Sequence, residues 1–323
     1  MMPDTASDGP AAGETVRGVS RRAAREWLLP SRTMPRRLWP PAVGISYIAA
    51  IGLLGGLRGD HVLLGLLGLL DLYNEKSRQF LRAFFPFILT GVVFDSMRYF
   101  YWLGVEGRVH VAEPYLLERR WFGVGGRTLN EIFLEHRALI LDLACGFAYL
   151  VYVPAYLALA LLLFFKGRAD GARTFARCFL IVNVMGFATY FVYPAAPPWY
   201  VTEYGLGPAR MGISPAAAAT LRFDALLGAH FFEDMYARGI DVFGAFPSLH
   251  VAYPFIAAVL AFQFRELRWA RVPALLFFLL MCLSAVYLQH HYVIDAALGV
   301  AYGIAAVAAV AAWERPRSAL VSS

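Results

Sequence analysis

The chain has 323 residues, 59% of them hydrophobic and 16% charged, with a formal net charge of +6. A soluble domain carries roughly a quarter charged positions, so this composition excludes an ordinary soluble fold, and no nucleic-acid partner is expected. Several apolar runs approach the ~20 residues that a bilayer core requires, which makes the expected fold class all-α, a polytopic membrane helical bundle.

The first segment, 1–39, is a basic tail with seven arginines between Arg17 and Arg37. It has too little apolar surface to fold and reads either as a disordered cytoplasmic tail or as a basic segment drawn to anionic headgroups. No short apolar run with a small-residue cleavage site follows these arginines, so no signal peptide is expected. Lys76 and Lys166 are the only lysines beside 27 arginines; that skew, with the alanine richness, suits a GC-rich bacterial genome.

Apolar runs then fall near 40–57, 61–73, 83–101, 138–165, 175–193, 246–264, 270–288 and 292–313, which gives eight candidate helices. The second is short enough to be re-entrant or to pair with the first, so 40–82 is read as an N-terminal membrane hairpin and 83–313 as the catalytic domain, with a cytoplasmic tail at 314–323. The positive-inside rule puts Lys76, Arg78 and Arg82, then Lys166, Arg168 and Arg173, then Arg265, Arg268 and Arg271, and finally Arg315 and Arg317 on one, cytoplasmic, side. The long connections 102–137 and 194–245 then face outward, and their aromatic content predicts ordered, partly membrane-lying lids. Cys145, Cys178 and Cys282 lie in apolar runs without paired spacing and read as core packing.

Ionisable residues near the outward ends of spans point to a site, because charge is costly there. Asp95 and Arg98 sit one turn apart in the third run and Asp142 near the start of the fourth; an Arg–Asp pair that only ties helices together is the competing reading. At the same expected face lie His250, closing GAFPSLH, and His290, His291 and Asp295 within QHHYVID. Four residues on a helix separate His291 from Asp295, so the carboxylate can hydrogen-bond one ring nitrogen and raise the basicity of the other. Such an imidazole serves as nucleophile or general base, and His250 supplies the second proton-transfer group. Ser248 can offer a hydroxyl and backbone N–H groups to a phosphate. His and Tyr also serve as interfacial anchors, and His250, His291 and Asp295 could form a three-ligand metal set, but no fourth ligand or metal-specific spacing is evident. No metal and no cofactor are expected.

PSLH at 247–250 and H-x3-D at 291–295 resemble the second and third signature motifs of the type 2 phosphatidic acid phosphatase superfamily, whose members pass a phosphoryl group through a phosphohistidine. YPAAPPWY at 193–200, Leu249 in place of the usual glycine, and the paired His290–His291 resemble the branch containing inositol phosphorylceramide synthases. The resemblance covers roughly 83–313. It departs from the hydrolase pattern at Gly186, Tyr193 and Ala285, where a lysine and two arginines would serve the phosphate. Arg98, then Arg238 and Arg210, are the candidate replacements, and Asp95, Tyr193, Trp199, Tyr200 and His290 complete the expected substrate-binding set.

The resemblance implies a double displacement. His291 attacks a phospholipid donor, Asp295 stabilises the imidazolium, and His250 protonates the departing diacylglycerol before deprotonating a lipid alcohol acceptor. Pro197, Pro198, Trp199 and Tyr200 could exclude water and favour transfer, although a rigid turn with an aromatic belt would use the same residues. The expected function is transfer of a phosphoinositol-type headgroup to a ceramide-like or other lipid alcohol, at the outer side of a bacterial plasma membrane. A lipid phosphate or isoprenyl diphosphate phosphatase is the alternative within enzymes. A non-catalytic lipid transporter or scaffold is the alternative outside them, although no internal repeat supports it.

Overall fold

The computed structural model describes residues 38–54, 56–99, 105, 107–237, 239 and 242–321. The basic tail read at 1–39 therefore lies almost wholly outside the described residues, as do Arg238 and the side chain of Arg98. Among the described residues all regular structure is helical, with three isolated β-bridges. Two compact units divide between Phe84 and Phe85.

In the first unit, α1 (Trp39–Leu53) opens on Pro40 and Pro41, which suit a helix start because their missing N–H groups would be unpaired there anyway. It packs on α2 (Gly59–Leu66) and on the turn Leu67–Leu69, followed by α3 (Leu70–Tyr73). The contact is between glycines: a Cβ on Gly44 would overlap the carbonyl of Gly65, and such small residues let apolar helices meet backbone to backbone. α4 (Glu75–Ser96), whose second half belongs to the second unit, starts where Asn74 Oδ1 accepts the N–H of Ser77 at 2.8 Å, and the buried Arg78 meets Asp71 at 3.3 Å. The third apolar run, expected from residue 83, is thus the second half of a helix whose first turns are charged.

The second unit carries α5 (Ala112–Phe122) and α6 (Leu129–Glu135) in the first long connection, then α7 (Leu139–Phe165) and α8 (Ala169–Val192). α9 (Pro198–Tyr204), α10 (Leu221–Leu227) and α11 (Phe231–Ala237) occupy the second connection, before α12 (Leu249–Gln263), α13 (Arg271–Tyr287) and α14 (Val293–Val321). Both long connections are therefore built from short helices. Among the described residues four helical stretches are long and apolar enough to cross a membrane, 139–165, 169–192, 265–287 and 293–314; those at 39–53, 61–73 and 249–263 are apolar but shorter. The eight spans expected from hydropathy exceed these four because hydropathy measures the apolar run and not the length of regular helix; the shorter apolar helices leave the expected count an expectation.

α12 accounts for one of the short ones. Its 15 residues rise about 22 Å at ~1.5 Å per residue, less than the ~30 Å hydrocarbon core. It packs against α7, α8, α13 and α14, and it is buried over most of its length through Val251, Tyr253, Ile256 and Leu260, with Phe262 exposed near its end. Helices around it carry the lipid-facing surface: α13 leaves Val272, Leu276 and Leu279 exposed. The molecule is an integral membrane protein whose central helix is sheathed by protein.

α7, α12 and α14 start, and α8 and α13 finish, at one end of this bundle. Tyr287 at the close of α13 donates to Asp142 in the first turn of α7 (2.8 Å), and Tyr190 near the close of α8 donates to the carbonyl of Pro247 (2.9 Å). At the opposite end Arg168 pairs with Glu266 at 2.7 Å, joining two of the basic loops that the charge count placed on one side.

Candidate active site

The site begins with a close approach of backbones. Ser248 is the N-cap of α12, its Oγ accepting from the N–H of Val251 at 3.4 Å, and its own N–H donates to the carbonyl of Asp295 at 2.9 Å. One turn along α14, a Cβ at Gly299 would overlap the carbonyl of Ser248; only glycine lets α14 lie this close. Ser248 is fully buried and its hydroxyl caps the helix start.

This contact sets His250 against His291, with Nδ1 of His250 3.0 Å from Nε2 of His291. Nδ1 of His291 lies 2.8 Å from the carbonyl of Ala245. A carbonyl can only accept, so Nδ1 carries the proton and Nε2 of the neutral ring presents its lone pair; His250 Nδ1 must then be the donor.

The expected pairing of His291 with Asp295 is corrected in detail. His291 precedes α14, which starts at Val293, so the two do not share a helical turn. Asp295 Oδ2 instead accepts the N–H of Tyr292 at 2.8 Å and lies 3.7 Å from His291 Nδ1. The carboxylate is still the nearest countercharge, and it is 1% exposed.

Three further residues fix the turn 288–292. Gln289 has φ of 70°, a left-handed backbone that side-chain-bearing residues rarely adopt. It is held there by its Nε2 donating to the carbonyl of Asn130 (2.9 Å) and by its own carbonyl accepting from Trp199 (3.0 Å). Asn130 Nδ2 donates in turn to the carbonyls of Val286 and His291 at 2.9 and 3.0 Å. Glu118 of α5, completely buried, accepts the N–H groups of Val293 and Ile294, both at 3.1 Å. A carboxylate there also meets the positive end of α14. Burial nevertheless pushes the Glu118 carboxyl above its ordinary range, against the two backbone donors that lower it.

Aromatic rings wall the two histidine motifs. Tyr149 of α7 stacks on His250 at 4.3 Å between centroids and on His290 at 5.3 Å, and Tyr236 of α11 stacks on the other side of His290 at 4.8 Å. Burial and the neighbouring His291 push the His290 imidazole down to about 3, so it is neutral at physiological pH. Tyr152 lies tilted against His250 at 4.9 Å. His290 is thus a packed member of the site wall.

The remaining expected residues divide. Trp199 and Tyr200 are buried at the start of α9, beside the turn. Tyr193 stacks on His110 at 3.9 Å, and His110 belongs to a parallel bridge with Ala195, which bridges Gly244 in turn. Arg210 lies over the ring of Tyr204 at 5.0 Å. Asp95 is buried in the last turn of α4; Arg98 and Arg238 fall outside the described side chains. Asp142 pairs with Arg222 at 3.1 Å, the helix-tying role weighed for the intramembrane charges. Gly186 and Leu249, both departures from the hydrolase pattern, face each other, since a Cβ on Gly186 would come within 2.9 Å of the Leu249 side chain.

Sequence reasoning missed Glu118, Asn130, Gln289, Tyr149 and Tyr236. Glu118 sits in LLERRW, which reads as an exposed charged face, and Tyr149 sits in an apolar run that reads as packing. Their only local signal is a polar or phenolic group close to the ends of spans.

The family described as the PAP2 superfamily matches residues 115–309. The phosphoinositol dihydroceramide synthase of Bacteroides thetaiotaomicron is 37% identical over 254 residues, 76% of this chain and 81% of that protein. The inositol phosphorylceramide synthase catalytic subunit of Schizosaccharomyces pombe is 29% identical over 55% of this chain and 42% of its own length. That of Saccharomyces cerevisiae is 31% identical over 54% and 43%. No solved structure matches the chain.

Proposed function

We propose that this chain, which belongs to the PAP2 superfamily, is a lipid phosphotransferase that moves a phosphoinositol headgroup from phosphatidylinositol to a ceramide-class lipid alcohol. The observation that carries the chemistry is the His250–His291 pair at 3.0 Å, with the far nitrogen of His291 held by the Ala245 carbonyl. The names of the relatives supply the substrate class.

In the first step His291 Nε2 attacks the donor phosphorus. A nitrogen–phosphorus bond forms and the bond to the diacylglycerol oxygen breaks. A separation of 3.0 Å between the rings leaves no room for a phosphoryl group, so His250 swings aside as the donor enters and takes up a proton beside the anionic phosphate. As imidazolium it gives a proton to the leaving oxygen, which returns it to neutral imidazole. In the second step His250 takes the proton of the acceptor hydroxyl. The acceptor oxygen attacks phosphorus, the nitrogen–phosphorus bond breaks, and His291 is restored. The products are the phosphoinositol-bearing sphingolipid and diacylglycerol, with no free phosphate. Asp295 balances the imidazolium of the intermediate, and Ala245 keeps its proton on Nδ1. Proton transfer by a placed imidazole contributes about 10² to 10⁴ in rate. Buried aromatic residues at the start of α9 keep water from competing with the alcohol. The reaction end of the bundle faces the outside of the plasma membrane, since the basic loops gather at the other end.

The test uses the full chain in lipid nanodiscs with inositol-labelled phosphatidylinositol and a fluorescent ceramide, comparing wild type with His291→Gln. The expected product is one lipid with both labels, made by wild type alone. Water-soluble inositol phosphate without that lipid would make the protein a hydrolase, and a product equally abundant with His291→Gln would refute the phosphohistidine.

A further inference from the structure

Between α6, α9 and the turn that carries His291 lies a cavity of about 300 Å³, lined among others by Arg137, Trp199, Thr202, Glu203, Arg222 and Gln289. It is within the range of small-ligand pockets, about 300–1,000 Å³. Two of its lining residues bear polar atoms that the protein leaves unmatched. Gln289 is 2% exposed, and while its Nε2 is bonded to Asn130, its buried Oε1 has no partner among the described residues. Arg222 donates Nε to the carbonyl of Ala219 beside its ion pair with Asp142 and donates one terminal nitrogen to the carbonyl of Tyr287, yet its buried Nη1 is likewise without a partner among the described residues. Buried polar groups are nearly always satisfied, so an unmatched acceptor and an unmatched donor on two residues that line one cavity suit a ligand able to serve both.

We propose that this cavity seats the polyhydroxylated, anionic headgroup of the donor lipid. A hydroxyl both donates and accepts, so a cyclitol ring can give a proton to Gln289 Oε1 and Glu203 and accept from Arg222 and Thr202. Arg137 supplies a second guanidinium at the mouth, suited to a phosphate oxygen. Trp199 offers a flat apolar wall to the ring carbons. A trimethylammonium headgroup could meet Trp199 and Glu203 but offers no hydroxyls to Gln289, Thr202 and the two arginines, whereas a cyclitol serves all of them. Only His290 separates Gln289 from His291, so a headgroup held here stands at the turn that carries the nucleophile. The assignment rests on the phosphoinositol-transfer reading, and it supplies the cations that Gly186, Tyr193 and Ala285 do not. A site that hydrogen-bonds hydroxyls discriminates strongly against analogues lacking them.

The test separates headgroup binding from transfer by measuring binding without turnover. Full-length His291→Gln protein in nanodiscs is titrated calorimetrically with glycerophosphoinositol, and with glycerophosphocholine as the control. Arg137→Met and Glu203→Gln change exposed side chains and leave the fold intact, which a melting curve verifies; Gln289→Met removes the buried acceptor. Each is expected to weaken glycerophosphoinositol at least 10-fold, with no binding of glycerophosphocholine in any protein. Equal affinity across the variants, equal affinity for both probes, or no binding in the parent would overturn the proposal. In the parallel transfer assay, donor KM rises with Arg137→Met while ceramide KM does not. If wild type makes no phosphoinositol lipid yet the binding pattern holds, the transfer reading fails and the headgroup seat stands. Robust transfer by wild type, with binding unchanged across the variants, refutes the seat and leaves the transfer reading in place.

Discussion

Glu118 offers a sharp test of how His291, the proposed nucleophile, is held. Its carboxylate accepts the first two N–H groups of α14, both at 3.1 Å, from full burial. Truncation in Glu118→Ala strands two donors, each costing about 1–3 kcal/mol when buried. Relief of the carboxylate's own desolvation offsets part of this, so the expected loss is about 2–4 kcal/mol. Glu118→Gln keeps one oxygen acceptor and costs about 1–2 kcal/mol, in line with ordinary helix caps. Because His291 lies two residues before Val293, a loosened start to α14 lets the imidazole drift from Ala245. Misplacement of a reacting group by about 1 Å can cost about 10²-fold. Glu118→Ala should therefore lose about 100-fold in kcat with little change in donor KM, and Glu118→Gln about 10-fold. The assay is transfer kinetics in nanodiscs, paired with thermal unfolding in detergent. A Glu118→Ala enzyme with kcat within about threefold of wild type would refute the clamp. The raised carboxyl adds a pH signature. The folded state holds the Glu118 proton more tightly than the unfolded chain, so its contribution to stability is fully present below the unfolded pKa and declines as pH rises through the folded one. The stability difference between wild type and Glu118→Gln should shrink across that window, and a difference that grows would contradict the burial argument.

Gly299→Ala puts a methyl group into the Ser248 carbonyl; forced separation of α12 and α14 should cost about 1–3 kcal/mol and at least 10-fold in kcat, read by the same two assays. Tyr149 carries a buried hydroxyl with no partner among the described residues, so Tyr149→Phe should raise the unfolding midpoint by the equivalent of about 1 kcal/mol while preserving the stack on His250. Tyr149→Ala should lower both stability and kcat, and equal behaviour of the two variants would remove the ring from the site. With a phosphorothioate donor chiral at phosphorus, two in-line displacements retain configuration; an inverted product would exclude the covalent intermediate.

The long helices and the meeting of His250 with His291 were legible because both rest on local signals: uninterrupted apolar length, and motifs at the ends of adjacent spans whose parity brings them together. The size of the long connections also pointed to ordered lids. Other features depend on contacts far apart in the chain. Glu118 reaches α14 across 175 positions, and nothing in LLERRW distinguishes it from a solvated carboxylate. The H-x3-D spacing suggested a helical pair, yet α14 starts two residues too late for that, since Asp295 turns back to cap Tyr292. α12 read as a full span because its hydropathy matches one; that it is sheathed by its neighbours depends on tertiary packing. Arg98, Arg210 and Arg238 read as phosphate-binding candidates from their place in the chain; that Arg137 and Arg222 line one cavity depends on the folding of both long connections, which no local pattern shows.

The paired bridges of His110 with Ala195 and Ala195 with Gly244 have a mechanical consequence. The N–H of Ala245 reaches the carbonyl of Ala195, while the carbonyl of Ala245 receives the proton of His291. A single peptide segment thus joins the outer connections to the tautomer of the nucleophile. Were residues 244–246 to move outward with the connections, the carbonyl would leave the imidazole, whose proton could then settle on either nitrogen. In the proposed phosphohistidine mechanism the lone pair of His291 is aimed while the three segments lie together, so the outer connections and the imidazole are held by the same backbone.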